Sequence, residues 1–300
     1  MKESKVKPIA KKFNRKAGFT IVELLTVMSI IIILMGLLAP AMNRVRRFAW
    51  RVRQKNQFHS IDVALELFRA EFDSYPDSEE KDASGASYCG AMKLAEAMFG
   101  QDLLGFHPDS RFRADGTIDG TAATQLYPQP APPLPLPPAY VENLKTRKEH
   151  YLPLEQANAY KLKYLFANAA TVFNEERFVL CDVYTRVVNT QTGKRVGMPL
   201  LYCRANTSLT AHDVTNPDNP QNIYDYKDNQ ELVGLGKPWD PPPGGTPHML
   251  FTEPAKFYES TWNESITSIA RPYRMDSFIL LSAGFDGEYG TPDDVFNFGE

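Results

Sequence analysis

One run constrains this chain more than any other. From Phe19 to Ala39 the sequence reads FTIVELLTVMSIIIILMGLLA, and its only charge is Glu23. A helix rises about 1.5 Å per residue, so roughly 20 apolar residues cross a ~30 Å hydrocarbon core. The run is just long enough. No second stretch of comparable length follows, which excludes a polytopic membrane protein. A cleaved secretory signal has a shorter apolar core, about 7–15 residues, with small residues at its end. Here the run passes through Ala39-Pro40 into an Arg-rich segment. A plain single-pass anchor accounts for the length but not for Glu23. A charged side chain at mid-bilayer costs about 2.5–3.5 kcal/mol, less near the helix end, and still wants a partner.

Charge is sorted around this run. Residues 1–18 carry seven basic residues against Glu3 alone. Residues 41–60 carry six more (Arg44, Arg46, Arg47, Arg51, Arg53 and Lys55) and no acid. The formal charge of -3 therefore conceals a strongly acidic C-terminal part. Orientation in a membrane follows Lys and Arg close to the span. Seven in front and six behind barely decide it.

The residues around the start of the run do more. Lys16-Ala17-Gly18-Phe19-Thr20-Ile21-Val22-Glu23-Leu24 resembles the class III signal of type IV prepilins and type II secretion pseudopilins. That signal has a basic leader ending in Gly, then Phe, Thr, two apolar residues, Glu and Leu. The resemblance implies that prepilin peptidase removes a leader, residues 1–18, by cutting between Gly18 and Phe19 on the cytoplasmic side. Phe19 then becomes an N-methylated N-terminus, and Glu23 becomes an assembly residue. It also implies an N-terminus inside and a domain outside the bacterial inner membrane. The physics agrees: cleavage creates an α-amino group, and a neighbouring subunit's amine can pair with Glu23, where an unpaired buried charge is unfavourable. Gly36 and Pro40 permit a kink when such helices bundle.

Beyond Pro40 the pattern stays helical. Val45, Phe48 and Val52 recur at 3–4 spacing, as do Ile61, Leu65, Phe68, Phe72 and Tyr75. Tyr75-Pro76 ends the run, because the residue before proline is pushed out of the α region. The reading is one helix over 19–75, membrane-spanning over 19–39 and amphipathic after it. Its stripe needs a partner, and a C-terminal sheet is the natural one. The Arg44–Lys55 cluster reads as a headgroup-level helix face rather than a nucleic-acid surface. The stretch LELFRAEFDSYPDS (Leu65–Ser78) is similar to the helix end of the major type II secretion pseudopilin.

Residues 76–300 read as one globular extracytoplasmic domain. A second helix is expected over 89–106. Tyr127–Tyr140 has seven prolines in fourteen residues and must be extended. Phe178–Val188 and Met198–Ala205 are strand-like, with a Thr-Gly-Lys turn at Thr192–Lys194, and read as a hairpin. Cys181 and Cys203 are symmetric about Thr192. They are either a cross-strand disulfide or two buried thiols; Cys89 has no evident partner. Residues 206–248 read as a long loop region. The five histidines are scattered, and no nucleophile elbow, phosphate loop or CxxC pair occurs. Nothing points to an enzyme.

The C-terminus is acidic. Ser282–Val295 reads SAGFDGEYGTPDDV after a short strand at Phe278–Leu281. Glycines at every third position allow positive φ. Ca²⁺ takes 6–8 oxygen ligands, and a turn carrying Asp286 followed by Asp293-Asp294 can close such oxygens around one ion. The order is not an EF-hand. The block resembles the C-terminal calcium loop of major pseudopilins, which implies side-chain ligands from Asp286, Asp293 and Asp294. The other reading is an acidic solvated turn.

The expected fold is therefore α+β and pilin-like: a long N-terminal helix on an antiparallel sheet, closed by a C-terminal calcium loop. The expected function is structural, a subunit of a periplasmic type II secretion pseudopilus with other pseudopilins and prepilin peptidase as partners. A minor type IV pilin serving adhesion or DNA uptake, or a membrane-tethered binding protein or enzyme, are the alternatives. The resemblance leaves the middle of the chain, about 200 residues, unexplained.

Overall fold

The computed structural model describes residues 18–128, 133–240, 245–266 and 269–299. Most of the expected leader, and residues 129–132 of the proline-rich segment, lie outside them. The architecture is α+β. Helix α1 spans Ile21–Phe72, and the assigned helix runs through Gly36 and Pro40 without interruption. It stops slightly before the Tyr-Pro pair. Asp73 adopts a left-handed φ of 59°, and its N–H donates to the Arg69 carbonyl at 2.8 Å. That is an αL cap, which aspartate tolerates better than most residues.

The chain divides into two compact units at Phe48/Ala49. In the first, Gly18–Phe48, every described side chain is exposed. Its apolar stretch is long enough to cross a membrane by length and composition. The second unit takes in residues 49–75, which the sequence grouped with the anchor.

In that second unit α1 changes character. Phe58, Ile61, Ala64, Leu65 and Phe68 are buried, at the spacing of one helical face, while Val63 and Leu67 remain about half exposed at 48% and 54%. Two glutamines share the buried face because each has a backbone partner. Gln57 Nε2 donates to the Cys181 carbonyl at 2.9 Å, and Gln54 Oε1 accepts from Val183 N at 3.0 Å. Helix α2, Gly90–Phe99, is buried on every side, which explains its nearly uniform apolarity. It ends where Gly100 turns to φ 75° and donates to the Glu96 carbonyl. That is short of the expected residue 106, because positive φ breaks the helix there. Its two charged residues are matched: Lys93 pairs with Asp77, and Glu96 accepts from Tyr88 Oη at 2.5 Å.

The strands are short. They are β1 (Ala159–Lys161), β2 (Phe178–Leu180), β3 (Val187–Val188), β4 (Arg195–Val196), β5 (Leu201–Arg204), β6 (Phe278–Ser282) and β7 (Val295–Phe296). They form three antiparallel sheets, β1-β2, β3-β4 and β5-β6-β7. The last is the centre of the domain, and alternation along it separates two cores. Tyr202, Phe278 and Leu280 face the cluster that contains α1's stripe. Leu201, Cys203, Ile279 and Leu281 face a second cluster built from Leu162–Phe173, Leu232, Val233, Leu250, Phe257 and Tyr258. The large middle region therefore covers the second face of the sheet. The uninterrupted apolar run FILL in β6 is the sequence signature of burial on both faces.

The expected hairpin needs correction. Its turn exists, closed by Asn189 N donating to the Lys194 carbonyl at 2.9 Å, but β3 and β4 are only two residues each. Residues 183–186 then bulge out of the first strand, so Cys181 lies opposite Pro199, four residues short of Cys203. Cys203 pairs instead with Ile279 across β5 and β6. The candidate disulfide between Cys181 and Cys203 is absent: both are free buried thiols, as is Cys89. Burial pushes the Cys89 thiol up to about 12 and holds the other two well above the ordinary thiol range, so none is a ready nucleophile. Residues 206–248 also hold more order than expected. A 3₁₀ turn at Tyr226–Asn229 runs into a short helix at Gln230–Gly234.

Candidate functional site

The first candidate site lies at the start of α1. Gly18, Phe19 and Thr20 precede the helix without regular secondary structure, and Phe19 is 82% exposed. A peptide bond between Gly18 and Phe19 is thus presented as an open segment, which a peptidase needs. Thr20 and Glu23 then close a reciprocal pair. Glu23 N donates to Thr20 Oγ1 at 3.2 Å, while Thr20 N and Thr20 Oγ1 both donate to Glu23 Oε2 at 2.8 Å. This is a capping box, which satisfies backbone donors at the helix start. The Thr-x-x-Glu spacing at Thr20–Glu23 carries that signal in the sequence. Its consequence is electrostatic: the Glu23 carboxylate has local donors within its own chain.

The second candidate site is the connection between β6 and β7. Leu281 pairs with Phe296 and Ser282 with Val295, so residues 283–294 form the loop of one hairpin. Gly284 and Gly287 adopt positive φ, 65° and 74°, and a Cβ at Gly284 would collide with the Asp293 carbonyl. Asp293 Oδ2 accepts from Phe285 N at 2.8 Å and Asp286 N at 3.0 Å. Thr291 Oγ1 bridges Asp286 Oδ2 and Asp293 Oδ1. Asp294 Oδ2 accepts from Gly290 N at 2.8 Å, whereas Asp294 Oδ1 is buried with no hydrogen-bond partner.

The electrostatics follow from this packing. Burial, then the Asp293 carboxylate beside it, push Asp286 up to about 6. Burial also works to raise Asp293, but hydrogen bonds from Asp286 and Thr291 outweigh it and hold Asp293 low. Burial raises Asp294 well above the carboxylate range. Asp286 and Asp293 are brought together by the Thr291 hydroxyl, while Asp294 accepts from the Gly290 N–H. No group of three or more His, Cys, Asp or Glu side chains among the described residues is placed to hold a metal ion. Two features nonetheless suit a cation: the orphaned Asp294 Oδ1, and the neighbouring Asp286 and Asp293 carboxyls that Thr291 bridges. Glu288 is engaged elsewhere, with Lys237 at 2.8 Å.

The loop is tied down from outside. Tyr289 Oη donates to the Pro199 carbonyl, Leu250 N donates to the Tyr289 carbonyl at 3.0 Å, and Tyr289 N donates to His248 Nδ1 at 3.3 Å. Burial lowers His248 to about 4, so it is neutral and fit to accept. Beyond β7, Lys55 Nζ donates to the carbonyls of Phe298 and Gly299 at 3.0 and 3.1 Å. The C-terminal hairpin and the second half of α1 are thereby joined.

Comparison with known families bears on the first site. Residues 13–39 match the prokaryotic N-terminal methylation motif. The front of this chain is type IV pilin-like. The motif is that of proteins processed by prepilin peptidase, and it takes in Gly18, Phe19, Glu23 and the whole apolar run. No curated protein and no solved structure matches the chain.

Proposed function

We propose that the chain is a structural subunit of a type II secretion pseudopilus. In this reading prepilin peptidase cleaves after Gly18, and Phe19 becomes an N-methylated terminus. The subunit waits in the bacterial inner membrane with its domain on the periplasmic side. It then joins a filament of like subunits through α1. The observation that carries the reading is the methylation motif opening a helix whose apolar half, Ile21–Phe48, has its described side chains exposed. Such a surface needs lipid or like helices around it. Transfer from one to the other requires a carboxylate that is never left unpaired. The Thr20–Glu23 box serves in the membrane, and the amine of a neighbour's Phe19 replaces it in the filament. The long basic face after the span suits headgroups, and no catalytic role is assigned to the domain.

Mass spectrometry of the mature protein tests the processing step. We expect an N-terminal N-methylphenylalanine at Phe19; an intact Met1 end in cells with active peptidase overturns it. Deleting the gene should stall export of folded cargo. Normal export with lost adhesion or DNA uptake would assign a minor type IV pilin instead. Glu23→Ala should still be cleaved yet fail to assemble, and normal filaments would contradict the pairing role.

The C-terminal loop is proposed to hold one calcium ion. Asp294 Oδ1 and the Asp286–Asp293 pair supply the acidic oxygens, and main-chain carbonyls and water would complete the shell. The ion would offset carboxylate repulsion and fix the hairpin that Lys55 ties to α1. Chelator should lower the melting temperature of the full chain, and Asp294→Ala should abolish that response. A chelator-indifferent protein would leave a solvated acidic turn.

A further inference from the structure

A separate cleft of about 330 Å³ opens between the segment that follows α1 and the loop Pro217–Asp228. That volume lies within the range of small-ligand sites. Its floor is a built polar group. Ser78 Oγ accepts from Arg204 N at 2.9 Å and donates to Asp228 Oδ2 at 2.5 Å. Asp228 is only 6% exposed. Its Oδ1 takes no hydrogen bond from any described group, and it is not among the sealed, unpartnered atoms, so it opens on the cleft that Asp228 lines. A carboxyl oxygen held this deep, with its twin fixed by Ser78, is aimed at whatever enters.

The charges of the lining say what that is. Two of its acids are already neutralised, Asp77 by Lys93 and Asp218 by Lys227. Glu79, Asp225 and Asp228 have no salt-bridge partner among the described residues. Against these three stands Arg204, which spends one guanidinium nitrogen on the Tyr75 carbonyl at 3.2 Å.

We propose that this cleft is a binding site for a guanidinium group of the kind an arginine side chain carries. The planar fork of a guanidinium can donate to Asp228 Oδ1 and to a rim carboxylate together. An ammonium, a compact point charge, uses that arrangement less well. Burial holds the empty Asp228 carboxyl well above the ordinary range, and Asp225 and Asp77 add to this. An entering cation favours the ionised carboxylate against that burial.

The test uses the full chain in detergent micelles and isothermal titration with argininamide. Citrullinamide, its uncharged isostere, is the control. We expect saturable argininamide binding and at least about tenfold weaker citrullinamide binding, since hydrogen bonds between charged groups exceed neutral ones by that order. Asp228→Asn should weaken argininamide about tenfold. Glu79→Gln, at an exposed rim residue that the fold does not need, should weaken it a few-fold even if Asp228→Asn fails to fold. Absence of saturable argininamide binding overturns the proposal. So does equal binding of the two probes, or indifference to Glu79→Gln together with indifference to or misfolding of Asp228→Asn.

Discussion

The two halves of α1 are one continuous helix with opposite ways of being stable. Residues 21–48 are the more apolar, and all their described side chains are exposed. Residues 49–72 carry Arg51, Arg53, Lys55, Asp62, Glu66, Arg69 and Glu71, and yet they fill a core. Composition describes the first half and pattern describes the second. An apolar surface without a stripe must be solvated by lipid or by other helices. A 3–4 stripe with polar flanks is solvated by its own domain. The difference also explains why the compact unit begins at Ala49 rather than after the Tyr-Pro turn.

The largest test of that contrast is truncation. A fragment of residues 76–300 loses Phe58, Ile61, Leu65 and Phe68 from the core and should not fold cooperatively. A fragment of residues 49–300 should. Equal thermal unfolding of the two would break the comparison, because it would make the second half of α1 as dispensable to the domain as the first. Single substitutions sharpen it. Leu65→Ala, at a fully buried site, should cost about 2–5 kcal/mol of domain stability in urea unfolding. Leu34→Ala, at an exposed one, should leave the same transition within about 0.5 kcal/mol.

A third test exploits titration, which only the domain side of the helix feels. Gln57 and Gln54 bind the backbone on either side of Asp182. Asp182 itself accepts from Tyr184 N, Met198 N and Ser282 Oγ, and burial raises it to about 8. In the unfolded chain it titrates near its ordinary value, about 3.9. Between those values the native state keeps a proton that the unfolded state has lost. Its contribution is therefore full below about pH 4 and declines as pH rises to 8. Asp182→Asn keeps the shape and removes the titration, so its stability relative to wild type should rise steadily from pH 4 to 8. A difference that stays flat across that range would show that Asp182 is ionised in the native domain.

Much of this arrangement was legible in the sequence, and the exceptions have physical causes. Glu23, the stripe through Ile61, Leu65 and Phe68, the strand at Phe278 and the loop glycines are local patterns several residues long. The Cys181–Cys203 pairing failed because symmetry about a turn presumes an unbroken register, and residues 183–186 bulge out of it. The covering of the sheet's second face was invisible because it is made by helical segments such as Leu162–Tyr164, Gln230–Gly234 and Ala255–Thr261, too short to show a helical period. In the aspartate loop the turn at Gly290 gives Asp294 a backbone donor that Asp286 and Asp293 do not share, a detail that spacing does not encode. The cleft at Ser78 and Asp228 joins residues 150 positions apart, which no motif could announce.

The smallest expected effect concerns the first half alone. Thr20→Ala removes the hydroxyl that accepts from Glu23 N and donates to Glu23 Oε2. Loss of an N-cap side chain costs about 0.5–2 kcal/mol. The first turn should fray, and hydrogen exchange at the amides of residues 21–24 in micelles should accelerate about tenfold, the equivalent of about 1.4 kcal/mol. The domain's melting temperature should not move. Unchanged exchange would mean that the box contributes nothing and that Glu23 depends wholly on a partner from another subunit. A lowered melting temperature would mean that the two halves of α1 share one stability, and the distinction between them would fall.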